Sequence, residues 1–393
     1  MYPQMTPYKI AIYRGGTSKG IFINRNELPK DPELRDKVIR AIFGSPDKRQ
    51  IDGLGGADVL TSKLAIIGPP SIDGADLDYT FAQVSFDDET VDYKGNCGNI
   101  SSAVGSYAID EGIVEAKEPV TRVRIYQTNT DCILIADVPV KDGKACVEGD
   151  CKIDGVPGTG ARIMLNFFDS GGSTTGRLLP TGNPVDTVHT RKFGDFEVSI
   201  VDAGNVLVFV EAESLGLKGI ESCEEIESNK ELMAKIEAVR GAAAVKAGLA
   251  TSEEDATRNR TYAPFFAVVS EPAAYVSAID GKKVSLEDID IVSRLYFMLH
   301  MHKTYPGTGT VCTGAAALIP DTLVNRQLNK GILADNILRI GHPGGVISVE
   351  VKLASDRKKN GDEKFESLTY ERTARRIMEG TVYVKNEVFK KEM

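Results

Sequence analysis

Two cysteines lie in similar sequence surroundings where a thiol could do chemistry. Cys97 occurs in KGNCGNISSAVGSYAI and Cys312 in GTGTVCTGAAALIPDTL, and in both strings a glycine-rich loop leads into small residues with helical spacing. The pattern predicts a thiol at the start of each of two helices. Unpaired N–H groups and the helix dipole at such a position favour a thiolate and bind anions. The competing interpretation is that both cysteines are small core residues.

Three glycine-rich segments contain further polar residues that could contact a ligand. RGGTSKG (14–20) offers backbone and hydroxyl donors, but it lacks the phosphate-binding pattern G-x-x-x-x-G-K-[ST]. In GLGGADVLTSKLAII, Lys63 stands at the entry to an apolar strand, where a surface charge is the ordinary interpretation. PGTGT (306–310) lacks the strand and acidic residue of a dinucleotide fingerprint. The sequence therefore favours no nucleotide site.

The remaining cysteines and the histidines do not predict a metal centre. The six cysteines contain no C-x-x-C pair and follow no secretory signal, so free thiols are predicted. His300 and His302 could supply two metal ligands on a strand, but their segment has helical spacing and no acidic third ligand. We therefore predict no metal site.

A faint internal repeat organises the elements that must position these residues. YKIAIYRGGTSKGIFINRNEL, from residue 8, resembles FEVSIVDAGNVLVFVEAESL, from residue 196. One offset of 215 positions separates two pairs of landmarks, Cys97 from Cys312 and Arg124 from Arg339. The repeat predicts two similar lobes. Proline, glycine and charges cluster between residues 180 and 195, so we place the lobes at 1–184 and 185–393, with the last strand free to return to the first lobe.

The hydrophobic spacing predicts an α+β fold. Period-two alternation predicts antiparallel strands at 78–86, 120–127, 132–138, 196–201 and 346–353. Helical spacing appears at 32–43, 99–110, 230–247, 286–300 and 313–325. The segments 99–110 and 313–325 lack a charged face, so we expect each to be a central helix inside a curled sheet. RKKNGDEK (357–364) is expected to be a solvated hairpin loop.

Length, composition and charge exclude several classes of protein. The chain has 393 residues, of which 42% are hydrophobic, and this is enough for a large core. Its net charge is −9 and its basic residues are scattered, so we expect no nucleic-acid partner. The longest apolar runs are far shorter than the roughly 20 residues of a membrane span. No signal-peptide pattern opens the sequence, so a cytoplasmic location is expected.

A series of long, unusual strings runs in order through nearly the whole chain: RGGTSKG, IDGLGGADVLTSKLAIIG, YKGNCGNISSAVGSYAIDEG, CKIDGVPGTGA, LLPTGN, HKTYPGTGTVCTGAAALIP, RIGHPGG and RTARRIMEG. Together they resemble the 2-methylaconitate isomerase family, and most closely its 3-methylitaconate delta-isomerase branch. The resemblance implies the diaminopimelate epimerase-like fold, in which two lobes, each a barrel-like antiparallel sheet around a central helix, hold the active site in the cleft between them. It also implies a homo-oligomer.

The resemblance further implies a cofactor-free allylic proton shift on an unsaturated di- or tricarboxylate. Carried over residue by residue, it assigns catalytic roles to Lys63 and Cys97 and a substrate contact to Ser18. Cys312 would take the place of the second catalytic thiol of the epimerases. The epimerases' first loop carries an arginine after its Asn-Gly, which GNCGN lacks here, so amino-acid racemisation is not expected.

We expect the substrate carboxylates at the two predicted helix starts, where preorganised N–H donors would stabilise an enediolate-like dianion. Loss of one such donor can cost about 3 kcal/mol. The residues predicted to bind substrate lie in the first glycine-rich loop, at the first helix start and at the second helix start: Thr17, Ser18, Asn96, Gly98, Asn99, Cys312, Thr313 and Gly314.

Ordinary pKa values favour a thiolate base. A lysine is half neutral at pH 7 only if its pKa falls by about 3.4, roughly 4.6 kcal/mol, whereas a cysteine needs a fall of about 1.5, roughly 2 kcal/mol. This arithmetic favours a Cys97 thiolate beside a Lys63 ammonium. Burial against the apolar strand at 64–67 would favour the reverse assignment, with Lys63 as base and Cys97 as acid. Both directions stay open.

The predicted reaction is the conversion of 3-methylitaconate to 2,3-dimethylmaleate. Isomerisation of 2-methylaconitate and tautomerisation of 4-oxalomesaconate use the same proton chemistry and are the alternatives within the family. A racemase of the same fold and a noncatalytic carboxylate-binding protein are the further alternatives.

Overall fold

The computed structural model describes residues 2–328, 335–355 and 363–390, so most of the loop predicted at 357–364 lies outside the described residues. The chain forms two compact units. The first unit comprises Met1–Lys152, Gly158–Met164 and Arg372–Met393, and the second comprises Ile153–Pro157 and Leu165–Glu371. The chain therefore changes unit four times, whereas we predicted one boundary between residues 184 and 185 with the last strand free to return to the first lobe.

The described residues form 21 β-strands and seven α-helices, so the predicted α+β class is confirmed. The strands are β1 (Met5–Gly15), β2 (Ser18–Asn24), β3 (Lys63–Gly68), β4 (Leu77–Val84), β5 (Val91–Asp92), β6 (Val120–Gln127), β7 (Cys132–Lys141), β8 (Lys144–Ala145), β9 (Ile163–Asn166), β10 (Asp186–Thr190), β11 (Gly194–Ala203), β12 (Asn205–Glu211), β13 (Phe265–Ser270), β14 (Tyr275–Val276), β15 (Lys283–Val284), β16 (Ile291–Phe297), β17 (His300–Met301), β18 (Ile337–His342), β19 (Gly345–Leu353), β20 (Phe365–Arg372) and β21 (Ala374–Lys385). The helices are α1 (Pro32–Phe43), α2 (Gly98–Asp110), α3 (Cys223–Ser228), α4 (Lys230–Lys246), α5 (Glu253–Asn259), α6 (Gly307–Leu318) and α7 (Leu323–Gln327).

The sheet of the first unit runs in the order β21, β1, β2, β3, β4, β6 and β7. β1 pairs with β21 and with β2 in the antiparallel sense, and β2 pairs with β3 in the parallel sense. The next three pairings are antiparallel for β3 with β4, parallel for β4 with β6 and antiparallel for β6 with β7. The short strand β5 also pairs with β4 and directly precedes α2 along the chain.

The second unit repeats this plan. Its order is β10, β11, β12, β13, β16, β18 and β19, and the senses of its pairings follow the same succession from antiparallel β10 with β11 to antiparallel β18 with β19. The short strand β17 pairs with β16 and precedes α6, as β5 pairs with β4 and precedes α2. The predicted internal repeat is therefore confirmed by topology.

The two arginine landmarks hold equivalent positions in the two sheets. The backbone N–H of Asp76 donates to the carbonyl of Arg124, and the N–H of Asp290 donates to the carbonyl of Arg339, each at 2.8 Å. In return, each arginine N–H donates to the aspartate Oδ2 at 2.7 Å. Because an equivalent aspartate hydrogen-bonds to an equivalent strand in each unit, the offset of 215 is confirmed for this pair of arginines.

Each unit contains one central helix, as predicted. Every residue of α2 except Asp110 is buried, and α2 packs against β1, β2, β6 and β7. In α6 every residue from Gly307 to Ala317 is buried, and this helix packs against β11, β12 and β19. A helix surrounded by sheet needs no charged face, which explains the small-residue composition. Among the described helices, none is long and apolar enough to cross a membrane.

The helix predicted at 286–300 is wrong. Residues 291–297 form β16, which pairs with β13 along one edge and with β17 and β18 along the other. Six of its seven residues are buried. A strand that is covered on both faces carries a continuous apolar run instead of an alternation, and such a run cannot be distinguished from a buried helix by periodicity.

Candidate active site

Cys97 lies at the N-terminus of α2, and the predicted position of this thiol is confirmed. It is the N-cap residue, with extended backbone (φ −119°, ψ 99°), and its side chain makes no capping hydrogen bond. The N–H of Ser101 is the donor that closes the first turn, on the Cys97 carbonyl at 2.8 Å. The N–H groups that precede Ser101 in α2 have no acceptor within the helix. The half-buried thiol therefore lies at the positive end of the helix dipole.

The turn between β1 and β2 lies directly on the first turn of α2. A Cβ added to Gly15 would lie 2.4 Å from the Asn99 carbonyl oxygen, and one added to Gly16 would lie 2.2 Å from Asn99 Oδ1. Gly16 also has a positive φ of 50°. Only glycine satisfies both the backbone conformation and this close approach. The first two glycines of RGGTSKG therefore bring the turn that carries Thr17 and Ser18 onto α2.

A directional chain of hydrogen bonds holds this turn in place. Arg372 Nε donates to Asn99 Oδ1 at 3.1 Å, and Asn99 Nδ2 donates to Thr17 Oγ1 at 3.0 Å. Because Thr17 Oγ1 accepts from Asn99, its own proton is available for another acceptor. Ser18 is only 2% exposed, and its hydroxyl has no hydrogen-bond partner within the described part of the chain. The Thr17 hydroxyl thus lies beside the helix start, and the buried Ser18 hydroxyl follows it directly in sequence.

We predict that Gly16→Ala destabilises the protein more than Gly74→Ala does. Gly74 also has a positive φ, of 85°, but an added Cβ there meets nothing within 4 Å. The left-handed conformation costs an alanine about 1–2 kcal/mol at either position. Gly16→Ala must also displace Asn99, so its loss of unfolding free energy in urea should be larger by about 1 kcal/mol or more. Equal losses would show that the turn is not held against α2.

Lys63 is the first residue of β3, and its side chain is buried. Its relative exposure is 5%, so the interpretation as a surface charge is wrong. Nζ donates to Gln83 Oε1 at 2.9 Å and lies 5.3 Å from the centroid of the Phe81 ring. Gln83 pairs with Lys63 across the antiparallel β3–β4 ladder, which explains why the two side chains meet.

Gly20 places Lys63 next to the start of α2. It pairs with Lys63 between the parallel strands β2 and β3. A Cβ added to Gly20 would lie 3.1 Å from the Lys63 carbonyl oxygen and 2.8 Å from Ile100 Cδ1. Lys63 and the first turn of α2 therefore flank the same glycine. Asn96, just before this turn, is buried and accepts from Ser101 Oγ at 3.1 Å.

The structure thus gathers most of the predicted site in the first unit. The residues on or beside the start of α2 are Thr17, Ser18, Lys63, Asn96, Cys97, Gly98 and Asn99. Sequence reasoning missed Arg372 and Gln83 as members of this cluster. Gln83 lies two residues after Phe81 in an alternating strand, but only the pairing of β3 with β4 places it beside Lys63. No local signal indicates the contact of Arg372 with Asn99.

The second predicted helix start is wrong. α6 begins at Gly307 after the N-cap Pro306, so Cys312 lies in its second turn and not at its N-terminus. Cys312 is 0% exposed, and its Sγ donates to the Val201 carbonyl at 3.3 Å. Burial raises the pKa of this thiol far above its ordinary value. Its surroundings are those of a core cysteine and not of a reactive one.

Thr313 and Gly314 also lie within α6 and not at its start. Thr313 Oγ1 donates to the Gly309 carbonyl at 2.8 Å. A Cβ added to Gly314 would lie 2.7 Å from Val351 Cγ1, so this glycine allows β19 to approach the helix. These contacts serve helix packing. Neither residue, nor Cys312, is included in the site that we propose below.

The N-cap positions show which residue corresponds to Cys97 in the repeat. Cys97 caps α2 and Pro306 caps α6, which gives an offset of 209 and not 215. Cys97 and Cys312 align in sequence only if Gly307 and Gly309 belong to a loop, as the low helix propensity of glycine predicts. In the fold, Gly307 and Gly309 belong to the helix, where an added Cβ would lie 2.2 Å from Tyr370 Oη and 2.9 Å from Leu295 Cδ1. Of the two helix starts, the one in the first unit carries the thiol.

The free cysteines agree with the sequence prediction, whereas the secondary structure at His300 differs from it. All six cysteines are free, as predicted. His300 lies on the short strand β17 and not on a helix, and it is exposed. Across the described ranges, no group of three histidine, cysteine or acidic residues could hold a metal ion.

Comparison with known proteins identifies the family. The chain matches the family model "PrpF protein" over residues 5–385. It is 54% identical to the 3-methylitaconate isomerase of Eubacterium barkeri over 95% of this chain and 96% of that protein. It is 36% identical to the 2-methyl-aconitate isomerase of Shewanella oneidensis over 98% of each.

Solved structures agree with this assignment. A methylitaconate-delta-isomerase is 51% identical, covers 99% of this chain and 98% of its own, and superposes with a TM-score of 0.83. A probable proline racemase from Agrobacterium radiobacter, 13% identical over 96% of this chain and 94% of its own, has a TM-score of 0.56 and shares the fold. The expected epimerase-like fold is therefore confirmed. The chain belongs to the PrpF family and is an isomerase of that family.

Proposed function

We propose that this isomerase converts 3-methylitaconate to 2,3-dimethylmaleate by a cofactor-independent 1,3-proton shift. The observation that carries the proposal is that two residues able to move a proton flank one glycine, Gly20: Lys63, whose side chain is buried, and the first turn of α2, whose N-cap is the half-buried thiol Cys97. The high identity to a 3-methylitaconate isomerase supports this choice of substrate. A small carboxylate substrate also agrees with the donors around the helix start.

The reaction requires two proton transfers and no redox step. A base removes the proton from the carbon that carries the methyl group and adjoins a carboxylate, and the electrons of that C–H bond form the new double bond. The electrons of the old double bond then take a proton at the terminal methylene carbon, which becomes a methyl group. Negative charge develops on the conjugated carboxylate during this transfer. Lys63 and Cys97 supply the base and the acid, and either order balances the reaction.

The start of α2 stabilises the developing charge. Its first N–H groups, including those of Gly98 and Asn99, point out of the helix and carry the positive end of the dipole. The hydroxyls of Thr17 and Ser18 add two donors beside them. Donors that are fixed before the reaction begins stabilise such charge without reorganisation, and loss of one commonly costs about 3 kcal/mol. Arg372 acts through Asn99 by orienting the Thr17 hydroxyl.

A two-thiol racemase mechanism is the competing enzyme function, and the second unit argues against it. The residue at the start of α6 is Pro306, which has no proton to give or take. Cys312 is buried in the next turn with its Sγ on a backbone carbonyl. One thiol and one amine suit an allylic proton shift in which base and acid are different groups.

An absorbance assay with purified protein tests the proposal. We expect turnover of 3-methylitaconate to exceed that of 2-methylaconitate and of 4-oxalomesaconate, as followed by the ultraviolet absorbance of the conjugated product. Faster turnover of one of the other acids would keep the mechanism and change the substrate. Binding of all three acids without turnover, and without exchange of carbon-bound protons with solvent, would instead indicate a carboxylate-binding protein.

A further inference from the structure

We propose that Gln83 is a positioning residue for Lys63 and that its neutral amide lets this amine gain and lose a proton during turnover. The inference rests on the proposed function for the identity of the reaction. It adds a residue with no proton chemistry of its own, which acts through the amine.

The hydrogen bonds of Gln83 fix the direction of its amide. Nε2 donates to the carbonyl of Val59 at 3.2 Å and to that of Ser62 at 3.0 Å. Both of its protons are used in this way, so Oε1 is left to accept from Lys63 Nζ at 2.9 Å. A flipped amide would place Oε1 against two carbonyl oxygens. Gln83 therefore offers Lys63 an oxygen acceptor whose orientation is set by the backbone.

The acceptor is neutral, and no carboxylate takes its place. The titratable groups on the elements around Lys63 are Lys19 on β2, Asp58 in the turn before β3, Asp78 and Tyr79 on β4, Asp92 on β5, and Cys97, Tyr107 and Asp110 at or in α2. Within the described residues, none of them is within hydrogen-bond or ion-pair distance of Lys63 Nζ. Asp58 accepts from the backbone N–H of Leu60, and Asp92, which lies opposite Gln83 in the pairing of β4 with β5, accepts from that of Lys94.

A neutral acceptor has a specific consequence for a group that must change charge. An amide oxygen accepts a hydrogen bond from an ammonium and from a neutral amine alike. A carboxylate at the same place favours the ammonium and raises the pKa of such an amine by about 1–3. Gln83 therefore holds the amine in place without adding a charge of its own.

Two substitutions of Gln83 and one matched control test this role. Gln83→Glu keeps the length of the side chain and adds a charge, and Gln83→Met removes the acceptor. Gln127→Glu is the control: Gln127 is also a buried glutamine of the first unit, but its Oε1 accepts from Thr130 at 2.8 Å and its Nε2 donates to Asn129 Oδ1, whereas the Lys63 amine donates to Gln83. The readouts are the pH dependence of kcat/KM and the pH titration of Lys63 Nζ by ¹⁵N NMR, with the resonance assigned from Lys63→Arg.

The two readouts have defined outcomes. In Gln83→Glu we expect the Nζ titration and the limb of the pH profile that depends on Lys63 to move about 1 pH unit or more to higher pH. In Gln83→Met we expect kcat to fall at least tenfold, while the titration midpoint of Nζ does not move to higher pH. In Gln127→Glu we expect no change in the Nζ titration midpoint or in the midpoint of the pH profile. Overlapping profiles for wild type, Gln83→Glu and Gln127→Glu would overturn the proposal, because a purely structural glutamine affects stability alone.

Failure of the proposed function would be recognised separately. If wild-type protein does not turn over any of the three acids, the substrate proposal fails. The Nζ titration still decides the role of Gln83, because it does not depend on turnover. If Gln83→Glu does not fold, Gln83→Met still tests the acceptor through the NMR line position and width of Nζ, and an unchanged Nζ signal there would contradict the contact.

Discussion

Replacing Cys97 by serine is expected to lower kcat by a factor of about 10²–10⁴ while the fold stays intact. A serine hydroxyl at the start of α2 keeps the shape of the side chain, but it does not ionise near neutral pH and is a poor proton acceptor there. The substitution should cost little stability, because Cys97 is half-buried and makes no capping hydrogen bond. Turnover of 3-methylitaconate and thermal unfolding measure the two effects.

Cys312→Ser is the matched control for this thiol. Cys312 is fully buried, so a polar replacement should lower stability by about 1–3 kcal/mol. The serine hydroxyl can still donate to the Val201 carbonyl, so we expect the fold and kcat to be retained within about threefold of wild type at a temperature where the variant is folded. A folded Cys312→Ser variant with no activity, together with an active Cys97→Ser variant, would reverse the assignment of the reactive thiol.

Lys63→Met is expected to lower kcat by a similar factor of about 10²–10⁴. Methionine fills most of the same buried volume and packs against Phe81, but it can neither carry nor accept a proton. Substrate binding should change less than kcat, because the N–H groups and hydroxyls at the start of α2 remain. The measurement is a full kcat and KM determination with 3-methylitaconate.

Lys9→Met serves as the control for loss of a lysine in the same unit. Lys9 is exposed on β1, so kcat and KM should stay close to wild type. Near-normal turnover in Lys63→Met would reject the amine as a proton carrier. A large rise in KM with unchanged kcat in Lys63→Met would give the lysine a binding role instead.

The start of α2 was predictable from sequence because its signals are local. GNCGN followed by small residues places a cysteine at a helix start, and the structure has Cys97 as the N-cap of α2. The start of α6 was not predictable, because the GTGT segment looks like a loop by propensity. In the fold these glycines are helical, since Tyr370 and Leu295 approach too closely for any side chain. The burial around the helix overrides the low intrinsic propensity of glycine.

The repeat was predictable in outline, but its offset was not uniform. The offset of 215 holds for Arg124 and Arg339, because the same aspartate contact fastens both strands. It does not hold at the central helices, where the N-caps are 209 positions apart. Pattern matching aligned two cysteines that have different environments, and only the burial of Cys312 reveals the difference.

The supporting residues of the site depend on long-range contacts. Arg372 contacts Asn99 across 273 positions of sequence, and nothing in RTARRIMEG indicates that neighbour. Gln83 lies opposite Lys63 through the register of β3 with β4, which the alternation alone does not specify. Such contacts become visible only when the strands are paired.

A crystal structure of the wild-type protein with bound 2,3-dimethylmaleate tests the mechanism most directly. We expect carboxylate oxygens within about 2.7–3.2 Å of the N–H groups of Gly98 and Asn99. We also expect Cys97 Sγ and Lys63 Nζ each within about 3–3.5 Å of a carbon that gains or loses a proton. A ligand bound away from the start of α2, or one that leaves either side chain out of reach of those carbons, would contradict the account.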